Sequence, residues 1–109
     1  MSDATTATFA KRLKQARTLR GLSQRALGGL VTGDKKSGSV RINRYEQQVN
    51  RADMDTASEL AKALNVPLAY LFAEDEDQAE LLLAFTQLSK AERSKVLSLA
   101  KKMAGQRAK

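Results

Sequence analysis

The sequence contains no cysteine and no histidine. Without thiols there is no disulfide framework, no thiolate nucleophile and no zinc finger. Without imidazole the chain lacks the commonest metal ligand and the best general base near neutral pH. No metal, no cofactor and no enzymatic activity is expected. Tryptophan is absent too, and two Tyr with three Phe make up all the aromatics, too few for a platform on which single-stranded bases would stack. One proline and six glycines are too sparse for a turn-rich β-sandwich. No apolar run approaches the roughly 18 residues of a membrane span. Lys11, Arg12, Lys14, Arg17 and Arg20 interrupt any signal-peptide segment, so the cytoplasm is the expected compartment and no membrane partner is expected.

What is present points to helices. The 109 residues hold 17 Ala and 15 Leu against five Val and one Ile, a pool that favours helix over strand. The length suits one modest core with a short appended element, and the expected fold is all-α. Net charge is +7, unevenly spread: +6 over residues 1–73, −5 over 74–80 and +6 over 81–109. The acidic run is a seam, readable as a solvated linker, as the acidic first turn of a following helix, or as both. The expected division is therefore 6–73 and 74–109. A basic surplus makes an anionic partner plausible without choosing among nucleic acid, membrane and acidic protein.

Apolar spacing gives the elements. A first helix over 7–20 buries Phe9, Leu13 and Ala16 and stops at Gly21. Ser23 caps a second over about 24–31 that buries Ala26, Leu27, Leu30 and Val31. Its Gly28–Gly29 pair costs about 1 kcal/mol per glycine in propensity, which a close approach by another helix would compensate. Thr32 to Gly38 reads as a turn. A third helix, about 39–48, turns Ile42, Tyr45 and Val49 to one side and Arg41, Arg44 and Gln48 to the other. Asp53 caps a fourth that ends at Asn65, burying Ala57, Leu60, Ala61 and Leu64. Pro67 opens a short fifth carrying Leu68, Leu71 and Phe72. Residues 78–88 and 90–104 form two more, separated by a capping box at Ser89–Glu92.

Four segments carry a resemblance in register: RLKQAR at 12–17, GLSQRALG at 21–28, RINRYE at 41–46 and SELAKALNVPLAYLF at 58–72. Together they make Phe9–Phe72 similar to the helix-turn-helix family of lambdoid phage repressors and Cro, the XRE family. The resemblance implies a five-helix lambda-repressor-like domain, a prokaryotic or phage origin, and double-stranded DNA as partner. It implies that Gln24, at the start of the second helix, contacts backbone phosphate, aided by free N–H groups and the helix dipole. By position Ser39, Val40, Arg41 and Arg44 resemble the base-facing residues, with Asn43 and Gln48 at the margin. Arginine can pair bidentately with guanine, and Val40 can meet a thymine methyl. Lys35, Lys36 and Arg51 read as phosphate contacts. Arg17 and Glu46 match a family pair and are expected to form a structural salt bridge. Tyr45 is read as core. The chain departs from the family pattern at Gln48, where a Gly is common, and at Ala52, where a Pro is common. Its turn between the second and third helices reads about four residues longer.

Beyond residue 80, Leu81, Leu82, Leu83, Phe85 and Leu88 are too many apolar groups for one narrow stripe. Val96, Leu99, Ala100 and Met103 form a second stripe. A C-terminal helical hairpin that packs on the domain would bury both; so would a two-fold interface, as expected of readers of paired half-sites. Dimerisation through Leu81, Leu82, Phe85, Leu88, Val96, Leu99 and Met103 is the preferred expectation. The functional expectation is a homodimeric, sequence-specific transcriptional regulator, most simply a repressor of a two-fold symmetric operator. The alternative is an antitoxin-like interaction module whose C-terminal helices grip a partner protein.

Overall fold

The computed structural model describes residues 4–107; the last two residues of the segment expected over 74–109 lie outside them. The regular structure of the described residues is entirely helical. It runs α1 (Ala4–Leu19), α2 (Gln24–Thr32), α3 (Lys35–Glu46), α4 (Met54–Leu64), a 3-10 turn (Leu68–Phe72), α5 (Glu76–Thr86) and α6 (Lys90–Arg107). No helix among them is long and apolar enough to cross a membrane.

Capping chemistry sets the boundaries. Ser23, Asp53 and Asp75 accept from the main-chain N–H three residues on, at 2.9, 2.7 and 2.7 Å, satisfying donors that the helix leaves free. Gly21 and Asn65 take left-handed φ of 69° and 54°. Each is followed by an i→i−5 bond, Leu22 to Arg17 and Val66 to Ala61, the Schellman closure of a helix end. The capping box closes reciprocally, with Ser89 N–H on Glu92 at 2.8 Å and Glu92 N–H on Ser89 at 3.1 Å.

The core is one cluster to which every N-terminal helix contributes: Phe9, Leu13 and Ala16 from α1, Leu27 from α2, Ile42 and Tyr45 from α3, Ala57, Leu60, Ala61 and Leu64 from α4, and Tyr70 and Leu71 from the 3-10 turn. Three expectations need correction. Residues 35–38 are not turn but the first turn of α3, because Asp34 caps it by accepting from Lys36 N–H at 3.0 Å. The extra residues therefore lengthen the helix and leave only Gly33 and Asp34 between α2 and α3. Gly38, read as a turn residue, is buried mid-helix. Leu30, expected inside, is 64% exposed, and Val49 is 68% exposed. Val49 leaves the apolar face because the chain swings left-handed at Gln48, with φ 62°, and closes with a bond from Val49 N–H to Arg44 O.

The charged side chain of Arg12 lies in the interior, 1% exposed. Its Nε donates to the Ala73 carbonyl at 2.8 Å, and its Nη1 to Gln15 at 2.9 Å and Glu76 at 3.0 Å. Lys11 pairs with the same Glu76 at 2.6 Å. These hydrogen bonds, that from Lys11 foremost, hold the Glu76 carboxyl below the ordinary carboxylate range. The acidic run is thus the cap and first turn of α5, pinned to α1. Ala79 is buried, and Leu82 and Leu83 pack partly against the core. α6 differs. Arg93 reaches back to the Phe85 and Thr86 carbonyls at 3.0 and 3.1 Å and lies 5.3 Å from the Phe85 ring centre. From Lys90 to Gln106 no residue is buried.

Candidate nucleic-acid interface

The candidate surface is built by α2 and α3, which pack on each other more extensively than any other pair of elements. Glycine makes this possible at one point. A Cβ on Gly28 would come within 2.6 Å of the Gly38 carbonyl oxygen and Ser39 N, and one on Gly38 within 2.6 Å of Gly28 Cα. The two backbones touch where any side chain would hold them apart. At Gly29 the neighbour is the flexible stem of Lys35, so Lys35 lies along α2.

A second lock fixes the far end of α3. Arg17 and Glu46 form a bidentate pair, Nε to Oε2 at 2.7 Å and Nη2 to Oε1 at 3.0 Å, while Arg17 Nη1 donates to Leu22 O at 3.0 Å. The Glu46 side chain is 2% exposed. Its hydrogen bond raises the Arg17 pKa above the usual value, against the opposing effect of burial. Gln24, the first residue of α2, donates from Nε2 to Glu46 Oε1 at 3.2 Å and to Asn43 Oδ1 at 3.3 Å. The main-chain N–H groups of Gln24 and Arg25 precede the first intrahelical bond of α2, from Leu27 to Ser23; Gln24 is half-buried and Arg25 exposed.

With Gly38, Ile42 and Tyr45 buried, the opposite side of α3 carries Lys36, Val40, Asn43 and Arg44, all exposed. Ser39 is partly buried beside the glycine contact. Arg41, expected to face bases, turns away: its Nε donates to the Tyr45 hydroxyl at 2.8 Å, its guanidinium lies 5.8 Å from the Tyr45 ring centre, and Nη2 reaches Thr56 at 3.5 Å. It sits toward the start of α4, where Asp53 is held below the usual carboxylate range, first by the Thr56 main-chain N–H and also by the Arg41 charge. Gln48 lies past the end of α3, and Arg51 is exposed in the segment leading to α4. Arg25 and Ser37 were not expected in this surface. Arg25 borders Gln24 and was legible from its place in the second helix; Ser37 belongs to the helical turn that composition alone read as loop.

Leu81, Leu99 and Met103 are exposed, while Phe85, Leu88 and Val96 are partly covered. Leu82, expected in an interface, spends part of its surface on the chain's own core.

Comparisons with known proteins bear on this geometry. The helix-turn-helix family profile matches residues 13–71, a span that contains α2, α3 and both locks. Among solved structures, one described as the transcriptional regulator BswR superposes with a TM-score of 0.80 at 36% identity, covering 85% of this chain and 92% of that one. That coverage is longer than residues 4–73, so part of the α5–α6 segment is shared. No curated protein gives a significant match.

Proposed function

The chain belongs to the helix-turn-helix family of DNA-binding transcription regulators, and from that premise we propose that it reads a two-fold symmetric operator as a homodimer in the cytoplasm and represses by occluding the promoter. The observation that carries the reading is the outer face of α3: α2 and α3 are locked together while Lys36, Val40 and Arg44 are left exposed, with no side-chain hydrogen bond or ion pair among the described residues.

Two tasks divide among the residues. Phosphate is taken by the free N–H groups of Gln24 and Arg25, where the helix dipole favours an anion. The Gln24 side chain is engaged with Asn43 and Glu46, so its main chain does this work. Lys35, Lys36 and Arg51 add electrostatic contacts that strengthen binding and its salt dependence without adding specificity. Arg41, drawn to Tyr45, joins this group. Base edges fall to Val40, Asn43 and Arg44, with Ser39 close by. Arg44 suits guanine and Val40 a thymine methyl.

Charge supports a second copy as the occupant of the exposed α6 face. α5 carries Glu76, Asp77 and Glu80 and no base, whereas α6 carries six bases against Glu92. A two-fold axis sets α6 of each protomer against α5 of the other, joining opposite charges twice while covering Val96, Leu99 and Met103. An antitoxin-like protein partner would need an acidic surface for the same helix.

Selection of bound duplexes from a random DNA pool at near-physiological salt tests the function. The expected product is an inverted repeat whose half-site centres lie roughly 34 Å apart. Enrichment of no sequence, with binding that vanishes as salt rises, would refute it.

A further inference from the structure

Four side chains form a hydrogen-bond chain whose direction is set at its buried end. Arg17 can only donate, and the carboxylate it grips can only accept. Gln24 approaches that carboxylate at 3.2 Å, so it must turn its amide nitrogen, not its oxygen, toward Glu46. The second N–H of the same nitrogen then faces Asn43 at 3.3 Å, where it requires an acceptor. Asn43 answers with Oδ1, which leaves its own Nδ2 directed away from Gln24 on the exposed side of α3.

We propose that Asn43 is a specificity-determining residue that enters the major groove as a donor only, and that Gln24 is the positioning residue that makes it so. This rests on the DNA-reading function proposed above. An asparagine with both amide atoms available reads adenine bidentately, accepting from N6 and donating to N7. The bond from Gln24 takes one lone pair of Oδ1 and holds that oxygen toward α2, so Asn43 turns its N–H groups outward. Guanine, with O6 and N7 both acceptors, becomes the best partner, and thymine O4 the next. Adenine offers a donor only N7 and sets its N6 amino group beside it, and cytosine offers no acceptor at all, so both are disfavoured relative to guanine. Polarity inherited from a buried Arg17–Glu46 pair thus sets which base a surface amide accepts.

The test is duplex selection with the full chain as wild type, Asn43→Ala and Gln24→Met. Gln24→Met keeps the side-chain length but donates nothing. Neither variant alters the core, and retained helical circular dichroism would verify folding. Asn43→Ala is expected to erase preference at one position of each half-site, and the wild type is expected to hold guanine there. Gln24→Met, which frees Oδ1, is expected to raise adenine tolerance at that position by about tenfold. Adenine at that position in the wild type overturns the proposal. So does an Asn43→Ala motif equal to the wild type, or a Gln24→Met motif that has not shifted. A wild-type selection that enriches nothing overturns the DNA-reading function itself, so the two failures are distinct.

Discussion

Leu60 and Leu64 in α4 and Leu99 and Met103 in α6 share the same i, i+4 spacing. The first pair is fully enclosed, whereas Leu99 is 59% and Met103 53% exposed. The difference lies in what surrounds each face. α4 meets α2 and the 3-10 turn and closes over one shared core. α6 is held at its start by the Ser89–Glu92 box and by Arg93 on the end of α5, and beyond that point nothing among the described residues buries it. Apolar spacing specifies a helix face; it does not say which surface covers that face. A Leu or Met side chain gains about 1.5–3 kcal/mol on full burial, so α6 retains a drive toward association that the N-terminal helices have already used internally.

If that contrast is right, damage to the two regions should differ in kind. The largest effect is expected at Gly38→Ala, whose Cβ would press on the Gly28 backbone. Separating α2 from α3 should cost about 3 kcal/mol or more, read as a fall in the urea midpoint, and should abolish DNA binding. Next is Arg17→Met, which strands the enclosed Glu46 carboxylate. It should destabilise by about 3–5 kcal/mol if that charge stays buried, and a double-mutant cycle with Glu46→Gln would recover part of the loss. Gln48→Gly should act in the opposite sense. The left-handed φ of 62° costs an L side chain about 1 kcal/mol, so glycine should raise the unfolding midpoint modestly. Least of all should Leu99→Asp with Met103→Asp disturb the N-terminal domain, whose stability is expected to stay within about 0.5 kcal/mol when both proteins are compared at concentrations too low for dimers. A large loss there would show that α6 belongs to the same cooperative unit and would erase the contrast.

Much of this architecture is legible in the sequence. Caps at Ser23, Asp53 and Ser89 announce themselves by residue type and by the apolar run that follows. The Arg17–Glu46 pair came from register within four matching segments, and the structure brings the two together. Where the reading failed, the determinant was tertiary. Gly38 and Ser37 have the composition of a turn, but α2 accepts a glycine at close range, so the segment winds into helix instead. Arg12 looked like one base among several; only the fold puts the Ala73 carbonyl and Glu76 around its guanidinium. Arg41 and Arg44 are indistinguishable as residue types three positions apart. The Tyr45 hydroxyl and Thr56 claim the first and leave the second free, a choice made by the neighbouring α4.

Sedimentation of the full chain, alone and on the selected operator, compared with the Leu99→Asp, Met103→Asp variant, tests directly whether α6 pairs two protomers. A wild-type dimer that loads two protomers cooperatively onto the paired half-sites is expected. The variant should be a folded monomer that occupies half-sites singly and more weakly. A wild type that is monomeric both free and bound, or a variant that still loads as a dimer, would contradict that pairing.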